Sequence, residues 1–477
     1  MEARKRNLMK ITIKSLVTAI LGIGLFLGCA KKSATSSSWS LDKSKVSAQL
    51  KNFVAEKELQ ANTAAKTKGK EVPEEFKSFF AAAAKGDCHA VTNFFNAMLK
   101  RGPQYGGHDE NMRGPVWQTV METAGAFELF ANGIDKYAAA FGNDVIKSIP
   151  DGSVYFGGTD HGRFLVTALS ESHADGKPFF TLTQNALADM SYLDYLRLMY
   201  GDKIQIPSDD DLSLSKCFRD YVADAQRRMQ NHQLKPGENV NVDSGSGRVQ
   251  VSGQAAVMGI NGLLAKIIFD QNTNQEFYVE ESFPLDWMYP HLEPHGLIMK
   301  INRQPLSELS GEKINKDSDY WAKYMTPMIG GWLKPDTTVG EVAAFAEKIH
   351  VKKDLSGFVG DPQFVQNEYS CKMFSKLRSS IGGLYAWRAQ HATDAAEKQR
   401  MNEAADFAFR QAWALCPYST ETAVRYVNLL TNGQRYSDAL QVSETTAKMP
   451  EMKDPGGATM RDLIKVLQQM QQRQKQK

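Results

Sequence analysis

Apolar side chains change their spacing along this chain, and the changes divide it. From 73 to 99 they recur at helical intervals. Phe76, Phe79 and Phe80 fall at i, i+3 and i+4 and share one face; after the Gly86-Asp87 break, Val91, Phe94, Phe95, Met98 and Leu99 repeat the stripe. The pattern predicts a helical hairpin. A polar, Gly-rich loop covers 101–114, and Pro115, suited to a first helical turn, predicts one helix over 116–140. The polar, Ala/Lys-rich stretch 41–70 before the hairpin reads either as a loosely held helix or as a flexible spacer.

At 149 the period shortens. The run Val154-Tyr155-Phe156 meets Gly157-Gly158 and then Thr159-Asp160-His161; a second run, 178–182, ends in Thr183-Gln184-Asn185. Strand, glycine turn, helix and strand make a βαβ unit. Ligands of open α/β sheets sit beyond the carboxyl ends of such strands. The candidate ligand-binding residues are therefore Thr159, Asp160, His161, Arg163, Asn185 and Asp189. Asp160 has a simpler role open to it, capping the helix that follows. A helix over 192–200, a short strand over 203–206 stopped by Pro207, and a helix over 214–230 come next. Asp209, Asp210 and Asp211 precede that last helix, where they serve as a cap or attract a cation. Alternating valines around a Gly-Ser turn predict a hairpin of 239–242 with 248–252. An apolar helix spans 255–269, and strands cover 276–281 and 296–301.

The segment between those strands carries His291 and His295. On a helix that spacing suits zinc, but Pro290 and Pro294 oppose a regular helix, so the segment reads as a packed aromatic loop, or a cleft wall of Trp287, Met288 and Tyr289. His108, Asp109 and Glu110 are adjacent in a loop and read as solvated rather than as metal ligands. Helical spacing returns at 318. From 373 it acquires a longer period: Ala405 and Ala439 are 34 residues apart, as are Trp413 and Ala447. With Phe409, Ala412, Pro417, Gly433 and Tyr436, this spacing resembles tetratricopeptide repeats. The fold class predicted is mixed α/β and α: a signal segment (1–28), a tether and spacer (29–72), a helical segment (73–148), a central α/β, Rossmann-like domain (149–303), a helical linker region (304–372) and TPR-like helical repeats (373–477).

The first residues set the address. Arg4, Lys5, Arg6, Lys10 and Lys14 precede the apolar run SLVTAILGIGLFL, which is too short to span a bilayer comfortably and normal for a signal peptide. Gly28-Cys29 follows and resembles a bacterial lipobox. That resemblance implies cleavage before Cys29 and lipid on its thiol and new amino group; an uncleaved anchor or an unmodified cysteine is the alternative. Loss of 1–28 turns the formal charge of +3 into about −1, which gives no electrostatic case for nucleic acid. Cys88, Cys217, Cys371 and Cys416 remain, widely spaced and without a C-x-x-C. An oxidising compartment permits disulfides among them in three full pairings, and buried free thiols are equally open.

The stretches IPDGSVYFGGTDHGRF, PFFTLTQNALADMSYLDYLRLMYGD, EFYVEESFPLDWMYPHLEPHGLIMKI and FSKLRSSIGGLYAWRA together resemble the soluble region of bacterial multi-spanning protein O-mannosyltransferase-like proteins. The resemblance covers about half the chain. It implies an α/β region followed by helical repeats. The transferase site of such proteins belongs to a membrane domain that this sequence lacks, so no catalytic residue is carried over. The resulting expectation is a membrane-anchored lipoprotein of the cell envelope, on the cell or outer membrane and facing the periplasm or exterior. It would bind or scaffold a protein or peptide through its repeats, with a glycan as a further candidate partner and no cofactor. The alternative is an enzyme or accessory subunit of envelope glycan or protein glycosylation.

Overall fold

The computed structural model describes residues 43–477 except 103–105, 132–135, 159–160, 171–175, 209–211, 244, 246, 248, 281–283, 453–454 and 476–477. The signal segment, Cys29, Thr159, Asp160 and Asp209–Asp211 lie outside the described residues.

In chain order the elements are α1 (Lys43–Thr67), α2 (Glu74–Ala84), α3 (Cys88–Leu99), α4 (Gly114–Ala131), α5 (Lys136–Ser148), β1 (Ser153–Gly157), α6 (His161–Leu169), β2 (Phe179–Thr183), α7 (Met190–Tyr200), α8 (Leu212–Gln230), β3 (Asn239–Val242), β4 (Val249–Ser252), α9 (Gln254–Gln271), β5 (Phe277–Val279), β6 (Leu292–His295), β7 (Ile298–Ile301), α10 (Gly311–Ile329), α11 (Val339–Ala346), α12 (Pro362–Gln366), α13 (Glu368–His391), α14 (Ala395–Leu415), α15 (Thr420–Asn432), α16 (Tyr436–Ala447) and α17 (Gly456–Lys475). The described chain is mostly helical, with a five-stranded mixed sheet of order β2-β1-β5-β7-β6 and the separate pair β3-β4. No helix among the described residues is long and apolar enough to cross a membrane.

Two compact units divide the described chain: 41–135 with 149–277, and 136–148 with 278–477. The division does not follow the sequence blocks. The helix expected over 116–140 is assigned as two helices, α4 and α5, on either side of residues 132–135, which lie outside the described residues. Aromatic and polar contacts hold α5 in the second unit. Tyr137 meets Phe364 edge-on at 5.1 Å, Phe141 meets Phe374, and Asp144 accepts from the Tyr324 hydroxyl.

In the first unit β1 and β2 are parallel, with Ser153 opposite Phe179 and Gly157 opposite Thr183, and α6 connects them. Every residue of both strands is buried, which explains their continuous apolar runs. Of the two readings open for 41–70, the helix is the one observed, and it is firmly packed. α1 lies against α4, burying Phe53, Val54, Ala61, Ala64 and Ala65. Trp117 of α4 stacks on Phe95 at 5.8 Å and anchors the α2–α3 hairpin. The strand expected over 203–206 is absent. A 3-10 turn ends at Lys203, and the Asn272 side chain bonds both the N–H (2.7 Å) and the C=O (2.9 Å) of Gln205, taking the place of a strand neighbour.

In the second unit β6 pairs antiparallel with β7, placing Pro294 opposite Met299. This strand lies inside the proline-rich segment read as a loop. It stands last in the sheet order, where a proline's missing N–H is tolerated. The His291 ring bonds the Asn302 carbonyl (2.7 Å) and the His295 ring the Ser148 carbonyl (2.8 Å). Helices α13 to α17 pack each on the next, and α13 touches α15 as α15 touches α17.

Candidate functional site

The carboxyl ends of β1 and β2 are the site the sequence singles out. Side chains of residues paired across parallel strands share a face. Tyr155, Gly157, Phe179, Thr181 and Thr183 therefore project together, and α6 lies over them. The Tyr155 hydroxyl donates to the Gly162 carbonyl (2.7 Å) and pins the first turn of α6. Gly157 suits this close approach, because a Cβ would stand 3.1 Å from the Tyr155 ring and 3.3 Å from the Gly162 carbonyl, and these neighbours would have to give by a few tenths of an ångström. Gly125 of α4 lets that helix approach α6; a Cβ there would stand 2.7 Å from the Phe164 ring.

Beneath α6 lies a buried ionic network. Glu122 of α4 receives Arg163 on Oε1 and Lys57 on Oε2. The Tyr195 hydroxyl donates to Glu122 Oε2 (2.7 Å) and accepts from Lys57 Nζ (2.8 Å), and Lys57 also reaches Gln60 Oε1 (3.1 Å). The Arg163 guanidinium sits over the Tyr192 ring at 5.1 Å. Lys57, Glu122, Arg163 and Tyr195 are all buried. Two basic side chains meet one carboxylate. Burial lowers the Lys57 pKa against the pull of Glu122, and burial raises those of Tyr192 and Tyr195.

The sequence-chosen residues fall as follows. Thr159 and Asp160 lie outside the described residues, and so does the side chain of His161, which opens α6. Arg163 is bound to Glu122. The Asn185 carbonyl accepts from Asn261 Nδ2 (3.0 Å), and Asn261 Oδ1 accepts from the Ala188 N–H (2.7 Å), so that asparagine staples the loop after β2 to α9. Asp189 caps α7 through the Ser191 N–H (2.9 Å), and burial raises its pKa. Arg163, Asn185 and Asp189 thus each perform a structural task at the strand ends.

Sequence reasoning missed Glu122, Lys57 and the tyrosines. A glutamate inside the apolar run of α4 was the available signal; Lys57 lies in a polar stretch and gave none. Two polar groups at the end of β2 remain unsatisfied. Thr183 Oγ1 and Gln184 Oε1 are buried without a hydrogen-bond partner, while the Thr183 N–H is taken by the Tyr192 hydroxyl (2.7 Å). A hydroxyl and an amide oxygen left unsatisfied at a strand end can hold a polar group. The Thr183 hydroxyl has no hydrogen-bonded base to make it a nucleophile.

The second unit contains a cavity of about 230 Å³ lined by Ile349, Lys353, Leu355, Val365, Glu368 and Tyr418. It borders a π-helical turn, Glu347–Val351, and Lys353 adopts φ +53°, a conformation that favours glycine. Among the described residues no three His, Cys, Asp or Glu side chains are grouped within reach of one ion. No known family, curated protein or solved structure matches the chain.

Proposed function

We propose that this chain is a lipid-anchored binding protein of the cell envelope. Cys29 holds it at a membrane face, and the TPR-like helices α13–α17 present the surface that a protein or peptide partner meets. The observation that carries this reading is the alternate packing of the array. Each helix packs on the next, and α13, α15 and α17 also touch in turn, which builds one continuous face from every second helix. Gly383 on α13 and Arg425 on α15 meet there, since a Cβ on Gly383 would stand 2.0 Å from Arg425 Nη2. Trp387, one turn further along α13, stacks on Tyr289 at 5.5 Å. Arginine and aromatic side chains are the residue types that dominate interface energetics.

The experiment has two arms on the full chain. Mass analysis of the amino-terminal peptide should find a diacylglyceryl group on Cys29, and Cys29→Ser should move the protein from the membrane to the soluble fraction; an unmodified cysteine would end the anchoring part. Crosslinking on cells should recover a defined partner, and Arg425→Glu should reduce that recovery about tenfold or more per folded molecule, the folded amount being measured alongside. Equal recovery by the variant rejects the α13–α15 face.

A second reading rests on Thr183 and Gln184: an enzyme or accessory subunit for envelope glycans that binds at the strand ends. Sugars or nucleotide sugars should then raise the melting temperature of the full chain, and Thr183→Val should abolish the shift. No shift from any sugar discards this reading.

A further inference from the structure

Cys371 and Cys416 meet across the α13–α14 hairpin, and we propose that they join in a disulfide that closes it. The sequence leaves the three pairings of Cys88, Cys217, Cys371 and Cys416 open. The structure brings them together through the register of two antiparallel helices. Near one end of the pair, a Cβ on Gly382 would stand 3.2 Å from the Phe409 ring. One turn on, Arg378 Nε donates to Gln411 Oε1 (2.7 Å). One further turn brings Ser375 Oγ to the Ala412 carbonyl (2.7 Å), a bond that requires the two backbones to run close. Each step back along α13 is a step forward along α14. The next turn places Cys371 opposite Cys416, the residue that ends α14.

Tyr418 supplies an independent measure of that proximity. Two residues beyond Cys416, its side chain hydrogen-bonds to the Cys371 thiol. Both sulfurs therefore lie at the foot of the hairpin, where Cys371 Sγ also reaches the Phe364 carbonyl at 3.2 Å. Both cysteines are completely buried. Cys88 opens α3 and Cys217 lies on α8, both in the first unit. Both cysteines are free thiols in this structure, and pairing them exchanges the thiol–phenol contact for a sulfur–sulfur bond.

The bond forms by exchange with a low-molecular-weight disulfide. One thiolate attacks the oxidant's disulfide, forming a mixed disulfide and releasing one thiol. The second thiolate attacks the protein sulfur of that mixed disulfide and releases the other thiol. Two protein thiols lose two protons and two electrons, and the oxidant becomes two thiols. Burial raises the Cys416 thiol pKa, so little thiolate is present once the hairpin has closed, and exchange is fastest while the chain is folding. The proposal concerns the chain's own chemistry and stands whether or not Cys29 is lipidated.

The test is refolding of the full chain with oxidised glutathione, an iodoacetamide quench, and peptide mapping without reductant. The expected result is one cross-linked peptide pair containing Cys371 and Cys416. The melting midpoint should lie several degrees above that of the reduced chain, as closing a long loop implies. Cys416→Ser or Cys371→Ser should abolish the difference between oxidised and reduced samples. Recovery of both thiols alkylated, or of either one joined to glutathione, Cys88 or Cys217, overturns the proposal. The map is made on the unaltered chain, so it decides even where a serine variant fails to fold.

Discussion

Glu122→Ala should destabilise the first unit by about 3–5 kcal/mol, because it leaves two buried cations without a counterion. Lys57 and Arg163 both rest on this carboxylate, and all three side chains are buried. The loss is not that of two surface ion pairs, which would be worth little. It is the cost of holding an ammonium and a guanidinium in a low-dielectric interior where neutral oxygens, those of Tyr195 and Gln60 beside Lys57, replace a carboxylate. Lys57 can shed its proton to relieve part of that cost; Arg163 cannot. Hydrogen exchange measured by mass spectrometry on the full chain reads the effect locally. Peptides from α1, α4 and α7 should exchange about two to three orders of magnitude faster, while peptides from α13 and α14 keep their protection. Replacing Lys57, Glu122 and Arg163 together by methionine should restore most of the protection, since an apolar substitute avoids the desolvation cost altogether. Equal protection in Glu122→Ala and the parent would show that the cations find other partners.

The network also explains what could be read from the chain beforehand. The β1–α6–β2 unit was legible because each strand is a short apolar run and each run ends in polar residues. The β3–β4 hairpin was legible because its valines alternate around a glycine turn. α1 was half legible. Its buried face is made of alanines, Phe53, Val54 and a lysine, so no bulky stripe distinguishes a packed helix from a solvated one. Lys57 faces the core only because Glu122, well over fifty residues later, is there to meet it. β6 was hidden by Pro294, which ordinarily argues against a strand and is tolerated where no N–H is needed. The segment 203–206 has the pattern of a strand but takes the side chain of Asn272 as the partner of Gln205, a contact that no local pattern records.

The candidate site shows the same division. The sequence located the strand ends, but the roles of residues there depend on partners far along the chain. Asp189 has the spacing of a helix cap, and the structure uses it as one. Arg163 reads as a ligand-binding group in the sequence, and Glu122 of a separate helix occupies it. The groups left with unused hydrogen-bonding capacity, Thr183 and Gln184, are neutral, and neutral residues at a strand end carry little signal in a single sequence.

Acid should weaken the second unit through His350. Its ring is buried in the π-helical turn, edge-on to Tyr418 at 5.5 Å, and Nε2 has no hydrogen-bond partner. Burial lowers its pKa to about 4; Glu451 pulls it upward and Lys353 pushes it down. In the unfolded chain an exposed histidine titrates near 6.5. Above that value neither state carries the proton, and this group adds no pH dependence. Between about 6.5 and 4 the unfolded chain binds a proton that the folded chain refuses, so stability falls as the pH falls, by about 3 kcal/mol across the window. Below about 4 both states are protonated and the loss levels off. Urea denaturation of the full chain and of His350→Leu, followed through α13–α14 by hydrogen exchange at each pH, separates this loss from the carboxylates that both proteins share. The parent should lose stability relative to the variant from pH 6.5 downward. A constant difference between them would mean that His350 is protonated in place, with Glu451 as its counterion.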